Sequence, residues 1–223
     1  MSPVFPKAAL FDLDGTLADS VHDLLAAANA MLEADGRAPM TLAGFRPHVS
    51  RGARAMLQAA FPDLAEDERL SRVPAFLDHY QREIGRHGGV FDGVEAMLGA
   101  LEAAGTVWGI VTNKPEHLAR ELLPHLGWAE RCAVLVGGDT LPERKPHPLP
   151  LLHAAKAIGV DPADCVYVGD DERDIVAAHA AGMRSVVALW GYRLPDDRPR
   201  DWGGDTLIEQ PVELADRGRW PQR

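Results

Sequence analysis

The sequence predicts an α/β fold: a parallel sheet flanked by helices, with a small helical domain inserted after the first strand. Three observations predict it. Residues 8–11 form a short apolar run suited to a buried strand of a parallel sheet. Residues 18–86 carry apolar positions at helical spacing and nothing that alternates with period two. From residue 87 onward, strand-like and helix-like segments alternate, which is the pattern of a sheet covered on both faces. A length of 223 residues suits this division, with residues 1–17 and 87–223 as the α/β core and 18–86 as the helical insertion.

Taken in order, residues 18–32 are alanine-rich and helical in spacing, with Asp19 or Ser20 as N-cap. Residues 52–61 and 67–84 have the same character, separated by Pro47, Pro62 and Asp63. A helix over 94–104 ends at Gly105, and 107–112 is an apolar strand. A helix over 116–125 precedes a short strand at 133–136, and a helix over 148–158 closes at Gly159. Then come a strand at 165–168, a helix over 172–181 closed by Gly182, and a strand at 185–189. Residues 190–202 are rich in Pro, Asp and Arg and read as a loop without an assigned purpose.

Composition narrows the function. With 46% hydrophobic and 25% charged residues, the chain is an ordinary globular protein. A net charge of −10 argues against nucleic acid as a partner, because such binding needs a basic field. An anionic substrate then requires a local positive pocket or a bound cation. Cys132 and Cys165 cannot form a disulfide framework and are expected as buried free thiols. No run approaches the roughly 18 apolar residues of a membrane span, and Asp12 and Asp14 interrupt the only candidate signal core. The expectation is a cytoplasmic protein with no membrane partner.

The polar clusters follow the predicted strands. Asp12 and Asp14 flank Leu13, and Gly15 lets the chain turn at once. Strand alternation sends both carboxylates to one side, at the carboxyl end where open parallel sheets bind ligands. Such close like charges need a proton or a cation, so the pair is an acid/base couple, a metal site, or both. The plainer alternative is an Asp-Gly loop satisfying its own backbone. Thr112, Asn113 and Lys114 follow the second strand, where a hydroxyl and free N–H groups make either an anion cradle or a helix cap. Lys145, in Arg144-Lys145-Pro146-His147-Pro148, is a point charge for phosphate or a solvated surface lysine. Asp170 ends a strand and Asp174 lies one helical turn later; capping explains part of this acidic run, and hard oxygen ligands suit Mg2+. Gathered at one sheet edge, these groups describe a phosphate-transfer site.

The order DLDGT, VTNK, KP and GDDERD resembles the haloacid-dehalogenase superfamily of phosphatases across nearly the whole chain. FDLDGTLADS and VGDDERDI are similar to its phosphoglycolate-phosphatase branch. WGIVTNKP, VGDDERDI and GYRLPDDRPRDWGGD resemble the N-acetylmuramic acid 6-phosphate phosphatases of that branch. The resemblance implies a Rossmann-like core and makes residues 18–86 a cap that selects the substrate. It implies Asp12 as nucleophile through an aspartyl-phosphate intermediate and Asp14 as general acid and base, with Thr112, Asn113 and Lys145 on the phosphoryl oxygens. Mg2+ would be held by Asp12, the Asp14 carbonyl and Asp170. Asp174 would orient the set from behind, and Thr16 would hold the turn. Within the cap, Arg51, Gly52 and Arg54 are either a glycine turn with two guanidinium groups suited to a substrate carboxylate or a helix start with exposed arginines. The expected substrate is a small phosphorylated metabolite, N-acetylmuramic acid 6-phosphate ahead of 2-phosphoglycolate. A phosphomutase and a non-catalytic binding module on the same fold are the other readings.

Overall fold

The computed structural model describes residues 4–222. Its main sheet has six strands, all parallel: β1 (Ala8–Phe11), β4 (Val107–Val111), β5 (Leu135–Val136), β6 (Cys165–Gly169), β7 (Arg184–Ala188) and β8 (Thr206–Ile208). They lie in the order β5-β4-β1-β6-β7-β8, while β2 (Ala18–Asp19) and β3 (Gly89–Val90) form a separate antiparallel ribbon. Between the ribbon strands run α1 (Val21–Ala34), α2 (Leu42–Phe45), α3 (Ala53–Ala60), α4 (Glu66–Ser71) and α5 (Val73–Glu83). Around the sheet lie α6 (Val94–Ala103), α7 (Glu116–His125), α8 (Leu149–Ile158) and α9 (Glu172–Ala180). The parallel α/β architecture expected from the sequence is therefore present.

The central position of β1 follows from its composition. All four residues are fully buried, and they alternate between two cores. Leu10 packs with Tyr167, Val111 and Leu151 on one face. Phe11 joins the other core, which continues without a break into Leu24, Phe45, Phe76 and Tyr80 of the insertion. The helical insertion thus shares its hydrophobic core with one face of the sheet. Such shared burial favours one seating of the helices over the strand ends.

Register places the chemistry. Phe11 pairs with Ile110 on one side and Val168 on the other. Asp12, Thr112 and Asp170 therefore emerge from three adjacent strands at one edge.

Several boundaries differ from the sequence expectation. The helix expected over 67–84 is two helices, because Pro74 cannot continue the hydrogen bonding of α4 and instead sits in the first turn of α5. Ala18 and Asp19 belong to the ribbon rather than to a helix. Ser20 is the N-cap of α1, but its hydroxyl makes no cap bond and turns to Asp14. The α2 helix, the 3-10 turn at Arg46–Arg51 and the edge strand β8 were not expected. Both cysteines are free thiols, Cys165 buried and Cys132 only half-buried.

Candidate active site

The turn after β1 is held by its own backbone. The N–H of Asp12 extends the sheet by donating to Val168 O at 2.9 Å, and the N–H groups of Leu17 and Ala18 both donate to Leu13 O. Gly15 has φ of +90°, and a Cβ there would lie 2.2 Å from Asp170 Oδ2. Both the conformation and the space exclude a side chain. Gly15→Ala is expected to lower stability by at least about 2 kcal/mol, read as a lower Tm together with lost activity. An unchanged Tm would show that the turn can relax.

Asp12, Asp170 and Asp174 each bring an oxygen within 4.8 Å of the others. Asp170 is buried, and its partners are neutral: Thr16 Oγ1 donates to it at 3.1 Å, Ser50 Oγ at 2.6 Å and the Tyr192 N–H at 2.9 Å. Burial, and then the charges of Asp12 and Asp174, push the Asp170 carboxyl well above the usual carboxylate range. Burial also raises Asp174, as does Asp12, against the opposing effect of Lys145. Converging carboxylates, two of them buried and Asp170 without a cationic neighbour among the described residues, are a donor set suited to a hard divalent cation. The cluster differs from the expected ligand set in one respect: Asp174, expected behind the ligands, contributes an oxygen. The capping explanation also holds in part: Asp171 and Asp174 form a capping box at the start of α9.

Each carboxylate of the Asp12/Asp14 pair faces a buried lysine, and each lysine is backed by a buried tyrosine. Lys145 Nζ lies 3.0 Å from Asp12 Oδ1, 2.7 Å from Asp174 Oδ1 and 2.7 Å from Tyr167 Oη. Lys114 Nζ donates to both Asp14 oxygens at 2.9 Å and to Tyr80 Oη at 2.7 Å. Burial disfavours both ammonium groups, but the adjacent carboxylates outweigh it and hold both above the ordinary lysine range. Ser20 Oγ adds a bond of 2.5 Å to Asp14 Oδ1.

The remaining expected residues divide by what their side chains touch. Thr112 is buried and lines the cavity in front of Asp12. The Asn113 amide, expected on phosphate, is taken up by Lys145: it donates to the Lys145 carbonyl and accepts from its N–H, fixing that loop. Arg51 pairs with Asp197 at 2.5 Å and Arg54 pairs with Glu66, and both line the cavity together with Gly52. Thr16 holds Asp170, as described, and its carbonyl accepts from Trp190 Nε1 at 2.9 Å. Residues 190–202, without a purpose in the sequence, supply Trp190 and Tyr192 to brace the turn and the cluster. A Cβ at Gly191 would fall 2.2 Å from that of Asp170, so the approach of this segment needs glycine.

Sequence reading missed Tyr80, Ser50, Tyr167 and Tyr192, and gave Lys114 no role apart from its neighbours. Above the carboxylates is a cavity of about 460 Å³. Asp12, Asp14, Thr112 and Lys114 lie at its floor, Val49, Met56, Val73, Phe76 and Leu77 on the wall from the insertion, and Arg144 and Arg173 among its polar lining.

The haloacid dehalogenase-like hydrolase profile matches residues 9–188. A phosphoglycolate phosphatase of Xanthomonas campestris pv. campestris is 62% identical over 98% of this chain and 99% of its own length. An N-acetylmuramic acid 6-phosphate phosphatase of Pseudomonas aeruginosa is 43% identical over 94% of this chain and 93% of its own. Among solved structures, a predicted phosphoglycolate phosphatase of Haemophilus somnus superimposes with a TM-score of 0.82 at 29% identity, covering 93% of this chain and 96% of that one. No helix among the described residues is long and apolar enough to cross a membrane.

Proposed function

The chain belongs to the haloacid dehalogenase-like hydrolases and is a phosphatase, and we propose that it hydrolyses N-acetylmuramic acid 6-phosphate through an aspartyl-phosphate on Asp12. The reaction rests on the arrangement at the end of β1, where two carboxylates, two buried lysines and a third acidic strand end meet under one cavity. Asp12 attacks phosphorus in line, the ester P–O bond breaks, and the leaving alkoxide takes a proton from Asp14. Asp14 then takes a proton from the water that attacks the aspartyl-phosphate, releasing phosphate and free Asp12. Thr112 and Lys145 hold the phosphoryl oxygens, and Asn113 acts by fixing the Lys145 loop. The Asp12 and Asp170 carboxylates and the Asp14 carbonyl, with Asp174 alongside, would hold Mg2+, which when bound would supply positive charge against the phosphoryl group.

The choice of substrate rests on the cavity. Its volume lies within the roughly 300–1,000 Å³ of sites that enclose drug-sized ligands. A two-carbon acid would leave most of that space and the apolar wall unused. A phosphorylated amino sugar with a lactyl and an acetamido group fills it and offers methyl groups to Met56 and Phe76. Residues 18–86 act as the cap that makes this selection, and Arg51 or Arg54 meets the lactyl carboxylate. Such a role belongs to cytoplasmic peptidoglycan recycling. The 62% identity to a protein named phosphoglycolate phosphatase favours the second reading, 2-phosphoglycolate.

Phosphate release with Mg2+ separates them. N-acetylmuramic acid 6-phosphate, 2-phosphoglycolate and a panel of sugar phosphates are compared by kcat/KM. We expect the muramic ester to exceed phosphoglycolate by at least about 10-fold, a difference of roughly 1.4 kcal/mol in transition-state binding. The reverse preference would move the enzyme to metabolite repair and make the apolar wall incidental.

A further inference from the structure

A carboxylated phosphate ester brings one negative charge beyond those of its phosphoryl group, to a chain whose net charge is −10. Five cationic side chains line the cavity, and four of them already face a carboxylate of the protein. Lys114 is paired with Asp14 at 2.9 Å, Arg173 with Asp171 at 2.7 Å, Arg51 with Asp197 at 2.5 Å and Arg54 with Glu66. The fifth is Arg144, whose exposed guanidinium has no ion-pair or hydrogen-bond partner among the described residues. Its backbone, in contrast, is fixed. Arg144 lies in the loop between β5 and α8, directly before Lys145. Its carbonyl accepts from the His147 N–H at 2.9 Å, and the Asn113 amide holds both the carbonyl and the N–H of Lys145, at 2.9 and 3.1 Å.

We propose that Arg144 is a specificity-determining residue that binds the substrate carboxylate from the core side of the cavity. This deepens the function proposed above and rests on it, since both candidate esters carry a carboxylate. One loop then carries two cations for one substrate: Lys145, 3.0 Å from Asp12, for the phosphoryl oxygens, and Arg144 for the carboxylate. The cap arginine assigned to the same anion must first leave Asp197 or Glu66. Arg144 has no partner to give up, so the substrate supplies its first ion pair. A carboxylate offers two oxygens and about four acceptor sites, room for Arg144 together with a cap arginine. The planar guanidinium fork matches a carboxylate through two parallel bonds, which selects for that group and not for charge alone. Because Arg144 is mounted on the core, its contact does not depend on how the helical insertion is seated.

The test uses the full-length enzyme with Mg2+, the variants Arg144→Gln and Arg144→Lys, and two pairs of esters that differ at the carboxylate. N-acetylmuramic acid 6-phosphate is set against N-acetylglucosamine 6-phosphate, which lacks the lactyl group, and 2-phosphoglycolate against ethyl phosphate. Each variant is compared with wild type on the same ester, so differences in leaving group cancel. An exposed side chain without partners adds little to folding, and Tm should stay within about 2 °C of wild type. On the carboxylated ester that wild type prefers, Arg144→Gln should lower kcat/KM by about 30-fold, chiefly by raising KM. On its carboxylate-free partner the change should stay within about threefold. Arg144→Lys, which keeps the charge and loses the fork, should recover part of the loss, to about fivefold below wild type. Equal losses on both members of a pair would make Arg144 a structural or phosphate-holding residue, and unchanged kinetics on both would make it a solvated surface arginine. Either result overturns the inference. The substrate reading fails separately: a wild-type preference for 2-phosphoglycolate overturns the muramic assignment, and a selective loss on the phosphoglycolate pair then still supports Arg144 as the carboxylate contact.

Discussion

Asp12→Asn is expected to abolish phosphate release, lowering kcat by at least about 10³-fold while leaving the fold intact. The amide oxygen is a poor nucleophile, so no acyl phosphate forms. The structure gives the variant good prospects of folding. Only Asp12 Oδ1 is engaged, accepting from the Leu13 N–H at 2.8 Å and lying 3.0 Å from Lys145 Nζ. An asparagine can present its carbonyl oxygen at that position and keep both contacts. Lys145 also retains Asp174 at 2.7 Å, so its charge is not stranded. The expected outcome is therefore a protein with near-wild-type Tm that binds substrate without turning it over. Phosphate release and a thermal melt on one preparation check it. Turnover within tenfold of wild type would rule out covalent catalysis by Asp12.

How far the sequence announced this site depends on what each residue does. Asp12, Thr112 and Asp170 are legible because each follows an apolar run, and a polar group at a strand end has few structural reasons to be there. Lys145 is legible as a cation beside a proline-started helix. The residues that position these groups are not. Tyr80 lies on the buried face of α5 with Phe76 and reads as core; only the fold shows that its hydroxyl reaches Lys114, 34 positions away. Ser50 and Thr16 meet at Asp170 from 120 and 154 positions away. Contacts of that span leave no local pattern, because they are fixed by sheet order and by the seating of the insertion. The edge strand β8 escaped for a different reason. Its three residues are too few to display a period, and they follow a loop rich in Pro, Asp and Arg.

Asp170→Asn is expected to act in opposite directions on stability and on activity. Without metal, the wild-type protein holds a buried carboxylate whose partners are all neutral and whose pKa is raised well above that of an unfolded chain. A group with a raised carboxyl pKa binds its proton more tightly when folded. Its contribution to stability is present below the ordinary carboxylate value of about 3.9 and is lost as pH rises through the raised one. Asparagine carries no charge at any pH, and it can keep the bonds if it turns its oxygen towards Ser50 and the Tyr192 N–H and its amine towards Thr16. The metal-free variant should therefore melt higher than metal-free wild type at neutral pH, by about 2–4 °C for each kcal/mol recovered. Part of the fall in wild-type Tm between weakly acidic and neutral pH should vanish with it. Magnesium should reverse the order, because the ion stabilises wild type by binding the folded state and finds one carboxylate fewer in the variant. Loss of activity should accompany loss of the Mg2+-induced rise in Tm. A metal-free variant less stable than wild type, with the magnesium effect intact, would show that Asp170 serves the packing of the strand end rather than a cation.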